Sequence, residues 1–133
     1  MKILITGGAG FIGSYIVEYF KDKAAVIVLD NFRSGFKHNL EDFRCEFMQG
    51  SILDRELVRR AMRGVDYVFH LAALVSVAES MQKPFECAET NTIGTLVVLE
   101  ESGPRESEEA GLEQFCRHLW LQRCNAQSGN DAA

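Results

Sequence analysis

A turn with three spaced glycines is the feature of this 133-residue chain that most directly indicates chemistry. Gly7, Gly10 and Gly13 follow the apolar run at residues 2–5 and lead into an amphipathic segment at residues 11–20. In such a strand–turn–helix the first glycine permits a tight turn, the second lets the backbone approach a pyrophosphate, and the third allows close helix–strand packing. The helix N-terminus offers free N–H groups and a positive dipole end to phosphates. The pattern therefore predicts a dinucleotide-binding site.

An acidic residue follows at the spacing that such a site requires. Asp30 ends the apolar run at residues 26–29, about 20 residues past the glycines. A carboxylate at this point accepts hydrogen bonds from ribose hydroxyls and repels a 2′-phosphate. We therefore predict NAD rather than NADP as the ligand. The alternative is a plain glycine turn with an incidental aspartate.

Strand-like and helical segments alternate along residues 2–100, and we interpret residues 1–100 as one NAD-binding Rossmann half-domain. We predict strands at 2–6, 25–30, 44–49 and 65–71, and helices at 11–22, 54–62 and about 77–100, the last with a break near Pro84. Successive βα units give a parallel sheet with right-handed crossovers, here in the order 3-2-1-4. The predicted fold class is α/β: a Rossmann-type doubly wound parallel sheet, truncated after the fourth strand and its crossover helix.

Composition and charge narrow the class of partner. The formal net charge of −5 argues against a general nucleic-acid surface. No apolar run approaches the length of a membrane span, and the first strand begins at Lys2, which leaves no room for a signal peptide. The four cysteines form no C-x-x-C pair and no metal-ligand spacing. We therefore expect a cytoplasmic protein that binds a small-molecule dinucleotide, and no metal, nucleic acid or membrane.

Six motifs occur in the order typical of one known family. They are residues 6–13, Leu29-Asp30-Asn31 with Ser34-Gly35, residues 50–54, residues 70–73, Ser80 with Lys83-Pro84, and residues 91–95. Over residues 1–100 the chain resembles the extended short-chain dehydrogenase/reductase family, in its NAD-dependent nucleotide-sugar epimerase/dehydratase branch, and within it the UDP-glucose 4-epimerase-like group. The resemblance implies homodimers for full-length members and leaves the oligomeric state of this chain open.

The resemblance also implies roles for the matching positions. Phe11 and Ile12 would offer their N–H groups to the pyrophosphate, and Asp30 would hold the adenosine ribose. The implied cofactor-binding residues are Gly7, Gly10, Phe11, Ile12, Gly13, Asp30, Asn31, Ser34, Gly35, Ser51, Ile52, Leu71, Ala72, Ala73 and Asn91, with Thr90 an equally close alternative to the last.

Some positions depart from the family pattern. The family usually has an acid at the position of Ser51, where the acid binds the adenine amino group, and epimerases often carry a cationic residue near Val75.

The resemblance also implies a catalytic motif. In this family a proton is transferred by the tyrosine of a Tyr-x-x-x-Lys motif, which lies on the helix after the fifth strand. The one such spacing here, Tyr19 with Lys23, ends the first predicted helix, and we interpret it as a chance match. We therefore predict no catalytic residue and an inactive chain; the alternative is a non-catalytic NAD-binding module or regulatory partner.

Residues 101–133 form an atypical tail without a strand-like apolar run. When Glu113–Trp120 is back-translated and read one base later, the codons permit Ser-Ser-Ser-Ala-Ala-Ile-Tyr-Gly, which resembles the fifth strand and catalytic-serine loop of the family. We therefore hypothesise that the sequence is read out of frame from about residue 101, and expect poor order there. The alternative is a genuine divergent tail.

Overall fold

The computed structural model of the chain describes residues 1–103. Its strands are β1 (Lys2–Thr6), β2 (Ala25–Asp30), β3 (Glu46–Gln49) and β4 (Tyr67–His70). Its α-helices are α1 (Phe11–Phe20), α2 (Arg55–Ala61), α3 (Val77–Gln82), α4 (Pro84–Ala88) and α5 (Thr95–Ser102), with a 3₁₀ turn at Lys37–Leu40 and a π-helical turn at Glu89–Gly94. The hypothesis of an out-of-frame, poorly ordered tail lies outside the described residues, apart from the end of α5.

The four strands form one parallel sheet in the order β3-β2-β1-β4, as predicted. β1 lies inside the sheet, where Ile3 is in register with Val26 of β2 and with Tyr67 of β4. Its apolar side chains are buried on both faces, as is typical of a parallel strand covered by helices. Within residues 1–103, β4 pairs with β1 alone.

Alternating side chains of the strands build a separate core on each face of the sheet. On one face Leu4 belongs to a cluster that contains Val58 of α2 and Val98 of α5. On the other face Ile5 belongs to a cluster with Val17 of α1. Helices thus cover both faces, which confirms the doubly wound α/β class. None of the helices in the described part of the chain is long and apolar enough to cross a membrane.

The predicted helix over residues 77–100 is instead a series of shorter helical pieces. Lys83 has φ −132° and ψ 61°, because a residue before proline is disfavoured in the α conformation. The predicted break near Pro84 is therefore confirmed. The π-helical turn was not predicted; it brings Gly94 so close to Ile52 that a Cβ on Gly94 would lie 2.5 Å from the Ile52 Cδ1 atom.

Candidate functional site

A cleft of about 280 Å³ lies beyond the carboxyl ends of the parallel strands, where open α/β sheets bind ligands. The loops that follow all four strands contribute to its walls. Every residue of the predicted cofactor set except Asn91 lies on the lining, namely Gly7, Gly10, Phe11, Ile12, Gly13, Asp30, Asn31, Ser34, Gly35, Ser51, Ile52, Leu71, Ala72 and Ala73. The loops therefore bring together, in one concave site, residues that are spread over 67 positions of sequence.

The glycine turn is shaped by the absence of side chains at three positions. Gly7 has φ +70°, and a Cβ there would lie 2.7 Å from the Ala72 amide nitrogen. At Gly13 a Cβ would lie 2.3 Å from the carbonyl oxygen of Gly7, so this glycine is required for α1 to pack on the turn. At Gly10 a Cβ would meet only that same oxygen, at 3.3 Å, so its Cβ direction is nearly open.

The first turn of α1 leaves its backbone donors available on the cleft lining. Gly10 is the N-cap residue and has no side chain with which to cap the helix. Within residues 1–103, the N–H groups of Phe11, Ile12 and Gly13 donate to no protein acceptor. Unpaired amides at a helix N-terminus, together with the helix dipole, form an anion-binding site. The residues present therefore fit a phosphate group at this end of α1.

Asp30 joins the glycine turn to the loop after β2. The residue as a whole is only 7% exposed. The Oδ2 atom accepts a hydrogen bond from the Ala9 amide at 3.0 Å, and Oδ1 accepts one from the Phe32 amide at 2.8 Å. Each carboxylate oxygen has two lone-pair sites, so both oxygens keep the capacity to accept a second donor. Asp30 is thus held in place before any ligand arrives.

The loop after β2 packs directly on the glycine turn. The Ala9 carbonyl accepts hydrogen bonds from the Phe36 amide at 3.1 Å and from the Asn39 side chain at 2.8 Å. A Cβ on Gly35 would lie 2.7 Å from the Ala9 carbonyl carbon, so glycine permits this close approach. The contact fixes the wall that includes Ser34.

A chain of hydrogen bonds fixes the wall that follows β4. The Thr6 hydroxyl oxygen accepts from the amides of Leu71 and Ala72, at 3.2 and 3.3 Å, and lies 2.7 Å from Nδ1 of His70. Nε2 of His70 lies 3.0 Å from the Thr95 hydroxyl, which itself donates to a backbone carbonyl. Nε2 therefore carries the proton, and Nδ1 accepts from Thr6. Burial lowers the pKa of His70, which agrees with this neutral form.

Asn91 supports the cleft wall from behind. Its side-chain oxygen accepts from the Leu74 amide at 2.8 Å, and its side-chain nitrogen donates to the Leu74 carbonyl at 2.9 Å. Thr90, the alternative that the sequence left open, lies on the lining instead. Ser51 lies on the lining, and its hydroxyl accepts from the Leu53 amide at 3.2 Å.

Arg33 is a lining residue that the predicted set did not contain. Its guanidinium donates to the carboxylates of Glu79 and Glu86 on α3 and α4. The Arg33 guanidinium holds the pKa of Glu86 below its usual value. A cationic residue in this polar loop could have been noticed in the sequence. Its carboxylate partners could not, because they lie 46 and 53 residues away along the chain.

The structure places the Tyr-x-x-x-Lys spacing of the sequence at the end of α1 away from the cleft. Tyr19 lies eight residues after the start of α1, or about 12 Å along the helix from the cleft. The Lys23 amine lies 3.2 Å from the centroid of its ring. Among residues 1–103, no group of three or more His, Cys, Asp or Glu side chains is placed to hold a metal ion.

Comparison with known proteins identifies the family. The model of the NAD dependent epimerase/dehydratase family matches residues 3–115. The chain belongs to this family. The match confirms the resemblance inferred from the six motifs.

Individual relatives agree with the family match. The UDP-glucose 4-epimerase of Haemophilus influenzae is 41% identical over 110 residues, which cover 76% of this chain and 32% of that protein. The crystal structure of the Thermotoga maritima UDP-glucose 4-epimerase with UDP-glucose matches with a TM-score of 0.72 and 48% identity, covering 77% of this chain and 34% of that one. The Thermus thermophilus UDP-glucose 4-epimerase in complex with NAD has a TM-score of 0.70 and 33% identity, covering 86% and 43%. The chain spans about a third of the length of the curated relatives it matches.

Proposed function

We propose that the chain binds NAD in the cleft, with the pyrophosphate on the glycine turn and the adenosine ribose at Asp30. The observation that carries this proposal is the N-terminus of α1, where three consecutive amides, without an acceptor among residues 1–103, lie beside the open Cβ direction of Gly10. A pyrophosphate supplies both the acceptors and the negative charge that this arrangement favours. The family description, and the relatives determined in complex with NAD, support the choice of dinucleotide.

We further propose that the chain is the N-terminal, cofactor-binding portion of a nucleotide-sugar epimerase. The relatives named above are UDP-glucose 4-epimerases, and the chain corresponds to about a third of the length of the Haemophilus influenzae and Thermotoga maritima proteins. When bound, NAD accepts and returns a hydride. Asp30 would orient the adenosine ribose, and the small residues Ala72 and Ala73 would let the cofactor lie against the wall after β4.

Calorimetric titration of the chain with NAD tests the binding proposal. We expect saturable binding by the parent and at least a ~100-fold loss in Gly10→Val, because a branched Cβ would occupy the space proposed for the phosphate. Ala25→Val is the matched control: it adds a branched side chain at an exposed position that starts β2, at the opposite end of the strand from the cleft. Equal affinity in the parent and Gly10→Val would contradict the assignment of the phosphate to the glycine turn.

A non-catalytic NAD-binding module or regulatory partner is the second candidate. It is favoured by the position of Tyr19 and Lys23, the one Tyr-x-x-x-Lys spacing in the sequence, about 12 Å from the cleft end of α1. The coding DNA separates the two candidates. A downstream frame that encodes Tyr-x-x-x-Lys after a shift of one base supports the epimerase portion, and a stop with no such frame supports the module.

A further inference from the structure

Arg33 is the one cationic residue on the lining of the cleft, as far as residues 1–103 define it. It stands three residues past Asp30, in the loop that we assign to the adenosine end of the ligand. In dinucleotide-binding folds an arginine near this acidic residue accommodates the 2′-phosphate of NADP. The position alone would therefore suit either ligand, and the partners of the guanidinium decide which.

Both terminal nitrogens of Arg33 already have carboxylate partners. Nη1 donates to Glu86 and Nη2 to Glu79. Neither glutamate belongs to the lining of the cleft. A 2′-phosphate that took the two donors now given to the glutamates would have to displace two charge-assisted hydrogen bonds and leave two carboxylates without their partner.

The two glutamates that reach Arg33 lie on either side of the break between α3 and α4. Glu79 lies in the first turn of α3, which is capped by the Ser76 side chain, and Glu86 lies in the first turn of α4. The non-helical Lys83 separates the helices, and its amine lies 3.5 Å from the second carboxylate oxygen of Glu86. The glutamates that meet at Arg33 thus come from two successive short helices, each from its first turn.

We propose that Glu79 and Glu86 are specificity-determining residues, which hold the Arg33 guanidinium away from the ribose 2′ position and so exclude 2′-phosphorylated dinucleotides. The inference rests on the proposed binding of NAD in this cleft. Both glutamates act through Arg33 and are therefore positioning residues. Asp30 then repels the 2′-phosphate directly, while the glutamates withdraw the cation that would otherwise attract it.

The test measures dissociation constants for NAD and NADP by calorimetric titration of the 133-residue chain. In Glu79→Gln/Glu86→Gln the guanidinium is released, and we expect NADP to bind about tenfold more tightly, equivalent to ~1.4 kcal/mol. The affinity for NAD should change by less than about twofold, since NAD has no 2′-phosphate. Adding Arg33→Gln to the double variant should abolish the gain in NADP affinity.

Two further variants separate the release of Arg33 from a general change in charge. Glu56→Gln/Glu100→Gln also removes two negative charges, here from ion pairs with Arg59 and Arg55 away from the cleft lining. This control should leave the ratio of the NAD and NADP affinities unchanged. Arg33→Gln alone leaves Glu79 and Glu86 without their guanidinium, so NADP should bind more weakly than to the parent.

The outcomes distinguish the inference from the function on which it rests. Tight NAD binding with an unchanged NAD-to-NADP ratio in Glu79→Gln/Glu86→Gln would overturn the inference and leave the proposed function intact. An equal gain in NADP affinity in the Glu56→Gln/Glu100→Gln control would also overturn it. A parent chain that binds neither dinucleotide would overturn both.

Discussion

Removal of the Asp30 carboxylate should destabilise the empty protein as well as change its ligand preference. The carboxylate is the acceptor for the amides of Ala9 and Phe32 and is almost entirely buried. A buried donor left without its partner costs about 1–3 kcal/mol, so Asp30→Ala should lower the free energy of unfolding by about 2–6 kcal/mol. Asp30→Asn keeps one acceptor oxygen but sets its NH2 group against the other backbone N–H, so it should also lower the free energy of unfolding, by at least about 1–3 kcal/mol.

Urea unfolding followed by circular dichroism measures these differences. Asp66→Ala is a suitable control, because Asp66 also accepts a backbone hydrogen bond, from the Lys2 amide at 2.7 Å, but at an exposed position. Water can replace that acceptor, so the control should cost less than about 1 kcal/mol. An Asp30→Ala protein within 1 kcal/mol of the parent would refute the view that this carboxylate holds the glycine turn. Where Asp30→Ala still folds, its preference for NAD over NADP should narrow, and an unchanged ratio would show that Asp30 does not contact the ribose.

Three other predictions follow from the site. Gly13→Ala should unfold more readily than the parent by at least the ~1–3 kcal/mol typical of overpacking, because the new Cβ would lie 2.3 Å from a backbone oxygen; a melting temperature equal to that of the parent would contradict this. Burial lowers the pKa of His70, so the unfolded state binds more protons at this residue than the folded state as pH falls below about 6.5; the contribution of His70 to stability should be constant above that pH and decrease below it, and His70→Gln should remove this part of the pH dependence in urea titrations. The chain alone should show no epimerase or dehydratase turnover on UDP-sugars above background, since positioned acid–base groups typically contribute ~10²–10⁴-fold; family-like turnover would disprove it and redirect attention to Tyr19.

The sequence predicted the parts of the site that depend on local chemistry. The glycine turn and Asp30 were visible because glycine is needed where the backbone turns tightly, and because an acid at the end of a strand has a specific use. The parallel strand order followed from the alternation of apolar runs with helical segments. The glycine turn and Asp30 are encoded within a single βαβ unit of about 30 residues.

Features set by contacts between distant segments were not predicted. The partners of Arg33 depend on where α3 and α4 lie relative to the loop after β2, and no spacing in the sequence records that distance. The π-helical turn places Thr90 on the lining and turns Asn91 to Leu74, a choice that sequence alone left open. The break near Pro84 was predicted because proline marks a helix boundary in the sequence, whereas the π-helical turn that divides the same segment again was not.

The side chain of Asn91 makes the pair of backbone hydrogen bonds with Leu74 that a neighbouring strand would make in a sheet. A carboxamide carries the same donor and acceptor as a peptide group, and here it uses both on the two backbone groups of one residue. The backbone past the end of β4 can therefore leave the sheet at this point and still keep its polar groups paired. The residue tolerated at position 91 is consequently set by hydrogen-bond stoichiometry rather than by size: an aspartate of the same shape would set a second acceptor against the Leu74 carbonyl.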